Sequence, residues 1–337
     1  MKINQTPISI LDLSLVSEGS DYADAIRESV AYIQFAEKIG IKRFWLAEHH
    51  NADGIASSAT AVLIGHLAEK TQKIRVGSGG IMLPNHSPLQ VAEAFGTLET
   101  MYPGRIDLGV GRAPGTDQLT SYALRRSREG TVEDYPKDIM EILRYVDDFD
   151  PQNKVNAFPG VGTHIPMWIL GSSPYSAQLA AYLGLPYSFA SHFAPQYLEY
   201  AMNLYRDEFK PSRYLDQPYF MPAANIVVAE SQKEAEFQST SYLQMAANIV
   251  QRKSGKIQKP VENMEALWSP PIKEAVKQMR TYSFVGTAEV VHHQLADFIN
   301  FTQADEIMLT SYFFESKNRE KSFEMLNDFD NQLNFNP

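Results

Sequence analysis

The chain has 337 residues, 40 acidic against 30 basic side chains, a net charge of −10 and no cysteine. The missing cysteine excludes disulfides, iron–sulfur clusters, thiolate zinc sites and a cysteine nucleophile, so any redox chemistry must come from a cofactor. The acidic balance without a Lys/Arg-dense face argues against nucleic acid, no segment approaches the roughly 18 uninterrupted apolar residues of a membrane span, and MKINQTPISILDL does not read as a signal peptide, so the expectation is a cytoplasmic protein.

Taken from the N-terminus, apolar or β-branched runs alternate with helix-periodic stretches, a pattern that favours parallel strands joined by helical crossovers. The first half predicts strand Ile8–Leu15, helix Asp21–Ile39, strand Arg43–Glu48, helix Ser57–Thr71, strand Ile74–Leu83, helix Pro88–Met101, strand Arg105–Gly111 and helix Thr131–Val146. The second half predicts strand Pro166–Gly171, helix Pro174–Leu183, strand Tyr187–Ser191, helix Pro195–Phe209, strand Phe220–Ala229, helix Lys233–Val250, helix Thr287–Asn300, strand Glu306–Phe313 and a closing helix Lys317–Leu333. Pro88, Pro174 and Pro195 each fall near a helix start, where a missing N–H costs nothing. Eight strands are the count of a (β/α)8 TIM barrel. The reading is an α/β fold, one such barrel over residues 1–337, with insertions near 153–163 and 251–282; an open doubly wound sheet is the alternative. Long connections of this kind inside a compact domain are usually lids or binding loops.

Chemistry in such a barrel belongs at the C-terminal strand ends. The second strand ends in Glu48-His49-His50, where a histidine can serve as general base near neutral pH. Adjacent side chains on extended backbone point in opposite directions, so one of the pair should face the pocket. A hydrogen-bonded histidine pair is the plainer alternative. A metal site would need further ligands at recognisable spacing, and none is expected. Glycine is disfavoured inside strands, yet Gly77, Gly79 and Gly80 fall in the third strand and Gly109 and Gly111 in the fourth. Such positions mark close approach of a ligand or another backbone, or a Gly-rich bulge. Arg112 offers a planar fork suited to phosphate, or alternatively a salt bridge to Glu48 or Asp107. Gly171-Ser172-Ser173-Pro174-Tyr175-Ser176 is a hydroxyl-rich turn entering a helix, whose free N–H groups would make an anion site. Together these residues suggest a phosphorylated planar cofactor. No complete G-x-G-x-x-G or Gly-Lys-Ser/Thr loop occurs, which sets aside the Rossmann and nucleotide-triphosphatase readings. His292 and His293, on a predicted helix, are expected to be solvated.

RFWLAEHH, VGSGGIMLPNHSPLQVAEAFGTLETMYPGRIDLGVGRAPG, PMWILGSSPYSAQLAAYLGLP and FVGTAEVVHHQL together resemble the bacterial luciferase-like flavin-dependent monooxygenases, over nearly the whole chain. The resemblance implies reduced FMN delivered by a separate flavin reductase, molecular oxygen, and a small organic substrate, with aldehydes first in line, oxidised through a flavin C4a-hydroperoxide. It implies His49 as the catalytic histidine and a cofactor set of Glu48, Ser78, Gly79, Gly80, Gly111, Arg112, Ser172, Ser173 and Ser176. Gly79 and Gly80 match the pair whose cis peptide supports the flavin ring, and Arg112 matches the arginine that grips the phosphate. Gly111 stands where luciferase has a reactive cysteine. A homodimer through helices such as Ser57–Thr71 and Pro88–Met101 is also implied. Two other readings stay open: a deazaflavin-dependent dehydrogenase and a non-catalytic FMN-binding protein.

Overall fold

In the computed structural model, residues 1–113, 117–124 and 134–335 are described. The strands are β1 (Lys2–Ile3), β2 (Thr6–Asp12), β3 (Arg43–Leu46), β4 (Arg75–Met82), β5 (Ile106–Gly111), β6 (Met167–Gly171), β7 (Tyr187–Phe189), β8 (Phe220–Val228), β9 (Ser283–Gly286) and β10 (Ile307–Thr310). The helices are α1 (Tyr22–Lys38), α2 (Thr60–Glu69), α3 (Pro88–Met101), α4 (Gln118–Leu124), α5 (Tyr135–Val146), α6 (Pro174–Leu183), α7 (Leu198–Asp207), α8 (Gln232–Val250), α9 (Pro270–Met279), α10 (Ala288–Thr302) and α11 (Ser316–Phe335).

The order β2-β10-β8-β7-β6-β5-β4-β3, closed by a β2–β3 pairing, is a ring of eight parallel strands. It is the expected TIM barrel, and its strands are the eight predicted ones, trimmed at their ends except that β2 begins at Thr6, two residues before the predicted Ile8. Two short strands were not expected: β1 runs antiparallel to β2, and β9 pairs with β8 outside the ring. Helices α4 and α9 were also missed. The latter lies inside the 251–282 insertion, whose Ser-Pro-Pro reads as a break but serves as the start of α9, with Ser269 at its N-cap. Pro195 opens a 3-10 turn at Pro195–Tyr197 before α7. The predicted helix beginning at Thr131 starts outside the described residues.

Helix starts follow local chemistry. Asp21 accepts from the Asp24 N–H at 2.8 Å while the Asp21 N–H donates to the Asp24 carboxylate at 3.2 Å, a reciprocal cap for α1. Ser231 caps α8 in the ordinary way, accepting from the Glu234 N–H. Gly184 closes α6 at φ +62°, a left-handed conformation that glycine adopts without a Cβ penalty.

Strand alternation builds two apolar layers. Outward residues such as Phe44, Val76, Leu108 and Ile169 pack under the helices. Inward ones, Leu11, Trp45, Trp168, Met221, Ala223 and Met308, fill the barrel. Each large side chain so buried contributes about 1.5 to 3 kcal/mol. At the N-terminal end the barrel is plugged by charge: Arg43 bridges Asp107 at 2.8 Å and Glu306 at 2.7 Å, Arg75 adds to Asp107 and Lys42 to Glu306. The opposite end is left for the site.

Candidate active site

The strand glycines divide by whether they reach the cavity, since a Cβ on any of Gly77, Gly79, Gly80 and Gly109 would come within 2.7 Å of protein atoms. A Cβ on Gly77 would sit 2.5 Å from the Asp107 carbonyl and 3.0 Å from Trp45, and one on Gly109 2.2 Å from the Ser78 carbonyl and 2.7 Å from Leu170. These two make room for neighbouring strands and for bulky interior side chains, so ligand approach is not needed to explain them. Gly79, Gly80 and Gly111, higher in the same strands, line a cavity of about 730 Å³ at the C-terminal mouth. The Gly79–Gly80 peptide is cis, as the resemblance implied. At Gly111 the nearest atom to a built Cβ is Met82 Sδ at 3.6 Å, so the protein itself leaves that space open.

Alternation at the end of β3 separates the three residues of its motif. His49 lines the cavity, while Glu48 is buried and accepts from the Met82 N–H and, on one carboxylate oxygen, from His50 Nε2 and His86 Nε2, each at 2.7 Å. These hydrogen bonds hold the Glu48 carboxyl below its usual range against the opposing effect of burial. One ligand atom from each of Glu48, His50 and His86 lies within 4.8 Å of the others; His86 is a third candidate ligand that spacing alone did not show. Two imidazoles already saturate that oxygen, so hydrogen bonding accounts for the cluster. His49 Nδ1 is sealed from solvent with no hydrogen-bond partner among the described residues. Burial lowers its pKa, which keeps the ring neutral near pH 7.

Ser78 is fully buried and bridges strands: its hydroxyl donates to the Gly109 carbonyl at 2.8 Å and accepts from the Gly109 N–H at 3.0 Å. Neither Glu48 nor Ser78 is on the cavity wall. The other seven residues of the expected cofactor set are, together with His49. Arg112 makes no ion pair with Glu48 or Asp107. Asp107 is taken by Arg43, Arg75 and the Trp45 indole, and the Arg112 guanidinium lies 4.1 Å from the centre of the Tyr175 ring. Ser173 is the N-cap of α6, yet its side chain makes no capping bond. That hydroxyl therefore leaves the N–H groups after Pro174 uncapped, and with Arg112 and the cavity-lining Ser172, Ser173 and Tyr175 the turn offers a place for an anion. Ser176 is committed: its hydroxyl donates to the Ser173 carbonyl at 2.7 Å and shares a bond with Tyr187, and it occupies the space a Cβ on Gly171 would need.

Sequence reasoning missed His192. It lines the cavity, burial pushes its imidazole down to about 3, and its Nδ1 is also without a partner among the described residues. Its position just beyond the predicted strand Tyr187–Ser191 was the available signal. His292 corrects an expectation: it is buried and pairs through Nε2 with Asp330 at 3.0 Å, whereas His293 is exposed.

The upper wall comes from segments distant in sequence. Leu15 bridges Ile55 and Ser17 bridges Ile257, so residues near 15, 55 and 257 form a layer across the mouth. A Cβ on Gly54 would fall 2.0 Å from the Gly255 carbonyl. Tyr242, Met245 and Ile249 of α8 and Met279 complete an apolar roof. The chamber can thus hold a planar phosphorylated ligand against Gly79, Gly80 and Gly111, exclude water, and present a neutral histidine to whatever lies beside it.

Comparison with known proteins agrees with this arrangement. Residues 6–303 match the sequence profile of the luciferase-like monooxygenases. A luciferase-like monooxygenase of Escherichia coli K12 is 49% identical over 96% of this chain and 97% of its own length. The N-acetyl-S-alkylcysteine monooxygenase of Bacillus subtilis is 32% identical over 95% and 97%. Among solved structures, apo-MsnO8 superimposes with a TM-score of 0.85 at 30% identity, covering 96% of this chain and 98% of that one. With nearly full-length matches at this level, the chain belongs to the luciferase-like monooxygenase family and is an enzyme of that family.

Proposed function

We propose that this enzyme uses molecular oxygen and reduced FMN, supplied by a separate flavin reductase, to oxidise a small organic substrate. The observation that carries the reading is the continuity of one chamber: an anion site at Arg112 and the start of α6, a glycine-cleared floor, an apolar roof and a neutral histidine. The residues fit FMN, since Arg112 has no carboxylate partner among the described residues and Gly111 opens onto unfilled space. A solved relative in fold, a type II Baeyer–Villiger monooxygenase from Pseudomonas putida in complex with FMN, superimposes with a TM-score of 0.70 at 15% identity, covering 96% of each chain. At that identity it supports the fold alone.

Bound reduced FMN would supply the electrons for activating oxygen. This chain's residues do the rest. Arg112 and the α6 N-terminus hold the phosphate, Ser172 and Ser173 offer hydroxyls beside it, and Ser176 fixes the turn through Ser173 and Tyr187. Leu11, Trp45, Leu170 and Met308 keep water from the floor. With Nδ1 sealed, His49 exchanges its proton through Nε2 and, being neutral, can accept one from the substrate and return it. Aldehydes are the first substrate class; the N-acetyl-S-alkylcysteines named for the Bacillus subtilis relative are the second. The remaining parts of the reading are a homodimer through α2 and α3, where Val62 and Met101 stand exposed, a cytoplasmic location, and no metal. Among the described residues no helix is long and apolar enough to cross a membrane.

Turnover under isotopically labelled oxygen gas tests the proposal. One labelled oxygen atom should enter the product, and only when protein, reduced FMN and substrate are all present. A product without label, its new oxygen taken from water, would sink it.

A further inference from the structure

We infer that the substrate is an anionic amphiphile: an apolar body in the chamber and a carboxylate or similar acid group held at the mouth by the Lys253–Lys256 segment. The inference rests on the flavin-dependent reading above and names the substrate class of that site.

Charge distribution carries it. The protein has ten more acidic than basic side chains, yet among the described residues no Asp or Glu lines the chamber, while Arg112, Lys253 and Lys256 do. The cations occupy two places. Arg112 is at the end of β5 beside the α6 turn, where one phosphate would use it. Lys253 and Lys256 are on the loop that follows α8, across the apolar roof formed by Met245 and Ile249. Neither lysine has a carboxylate partner among the described residues: Lys253 Nζ donates to the Gln251 side-chain oxygen at 3.0 Å, and Lys256 Nζ to the Ser20 carbonyl at 2.6 Å. The loop is fixed, not free, because Ile257 pairs with Ser17 and the Ile257 N–H donates to the Val16 carbonyl at 2.9 Å. These two lysines, held with neutral partners, stand at the entrance of a mostly apolar cavity that no acidic side chain among the described residues lines. A ligand ending in an acid completes both, and a wholly apolar ligand would leave the second cationic place unused. Lys253, the more exposed, is the one assigned to the acid group.

The test compares decanoate with decanol, of equal chain length, by quenching of tryptophan fluorescence, since Trp45 lines the chamber. FMN affinity is measured on the same proteins. The inference predicts that wild type binds decanoate about tenfold tighter than decanol, the scale of one charge-assisted hydrogen bond, with the preference shrinking as salt rises. Lys253→Met, which keeps the apolar stem, should abolish the preference while leaving FMN affinity and melting temperature in place. Lys256→Met, measured alongside, should reduce it less. Equal binding of the two probes by wild type, or a Lys253→Met variant that keeps the preference, overturns the inference. A Lys253→Met variant that loses FMN also overturns it, by assigning that lysine to the cofactor. Failure of wild type to bind FMN would strike the underlying reading and leaves the decanoate comparison to stand on its own result.

Discussion

Single side chains decide how the site holds charge. Arg112→Ala should weaken FMN binding by about 1.5 to 3 kcal/mol, the worth of a hydrogen bond to a charged group; titration of FMN against its own fluorescence checks this, and unaltered affinity removes Arg112 from the phosphate site. Gly111→Ala tests the floor differently. Its Cβ meets nothing closer than 3.6 Å in the protein, so thermal stability should hold while FMN affinity falls. Buried histidines set a pH dependence. His49 and His192 have folded-state pKa values depressed by burial below the ordinary 6.5, so the unfolded chain binds more protons in acid. Their stability contribution is therefore complete above about pH 6.5 and is lost as pH falls toward the folded values, which for His192 is about 3. Each contributes a slope of at most about 1.4 kcal/mol per pH unit. Denaturant titrations between pH 7 and 5, on wild type and His192→Phe, should show a shallower fall in the variant.

At the scale of elements, the strands were legible because apolar or β-branched runs alternate with helix-periodic stretches, and Pro88 and Pro174 marked the starts of α3 and α6 to the residue. What could not be read was where side chains turn. Ser78 stands beside Gly79 in sequence, yet alternation and the Gly109 backbone draw its hydroxyl into the strand interface. His86 meets Glu48 only because the turn after β4 folds back toward the end of β3, a contact 38 residues apart in sequence. The same holds for the mouth: nothing in the composition of residues 251–282 shows that Ile257 pairs with Ser17 or that Gly54 touches Gly255. That last contact yields a prediction. Gly54→Ala places a methyl 2.0 Å from the Gly255 carbonyl, so the 253–257 segment must shift outward and admit water. Oxidised flavin should then return faster after oxygen is mixed with the reduced complex, and an unchanged rate would show that this segment does not seal the chamber.

Across the whole molecule, the barrel keeps its two ends chemically distinct. The N-terminal end is closed by the Arg43–Asp107–Glu306 network, where every charge has a partner, and the C-terminal end carries Arg112, Lys253 and Lys256 without carboxylate partners among the described residues, and His49 and His192, whose buried Nδ1 atoms have no hydrogen-bond partner among them. Removing one member of a buried network exposes the others to uncompensated burial. Arg43→Met should cost about 3 kcal/mol, at the lower end of that effect because Asp107 keeps Arg75 and Glu306 keeps Lys42. Chemical denaturation reads the loss directly, and a variant as stable as wild type would show that the interior packing around Trp45 and Trp168 holds the barrel without it.

The central claim is that the chamber makes reduced FMN react with oxygen on the protein rather than in water. Rapid mixing of the protein–reduced FMN complex with oxygenated buffer, followed by absorbance, tests it most directly. The account predicts a lag before oxidised flavin appears, absent for free FMN, and a shorter lag when substrate is present. Return of oxidised flavin as fast as in buffer, with FMN shown to be bound, would contradict it.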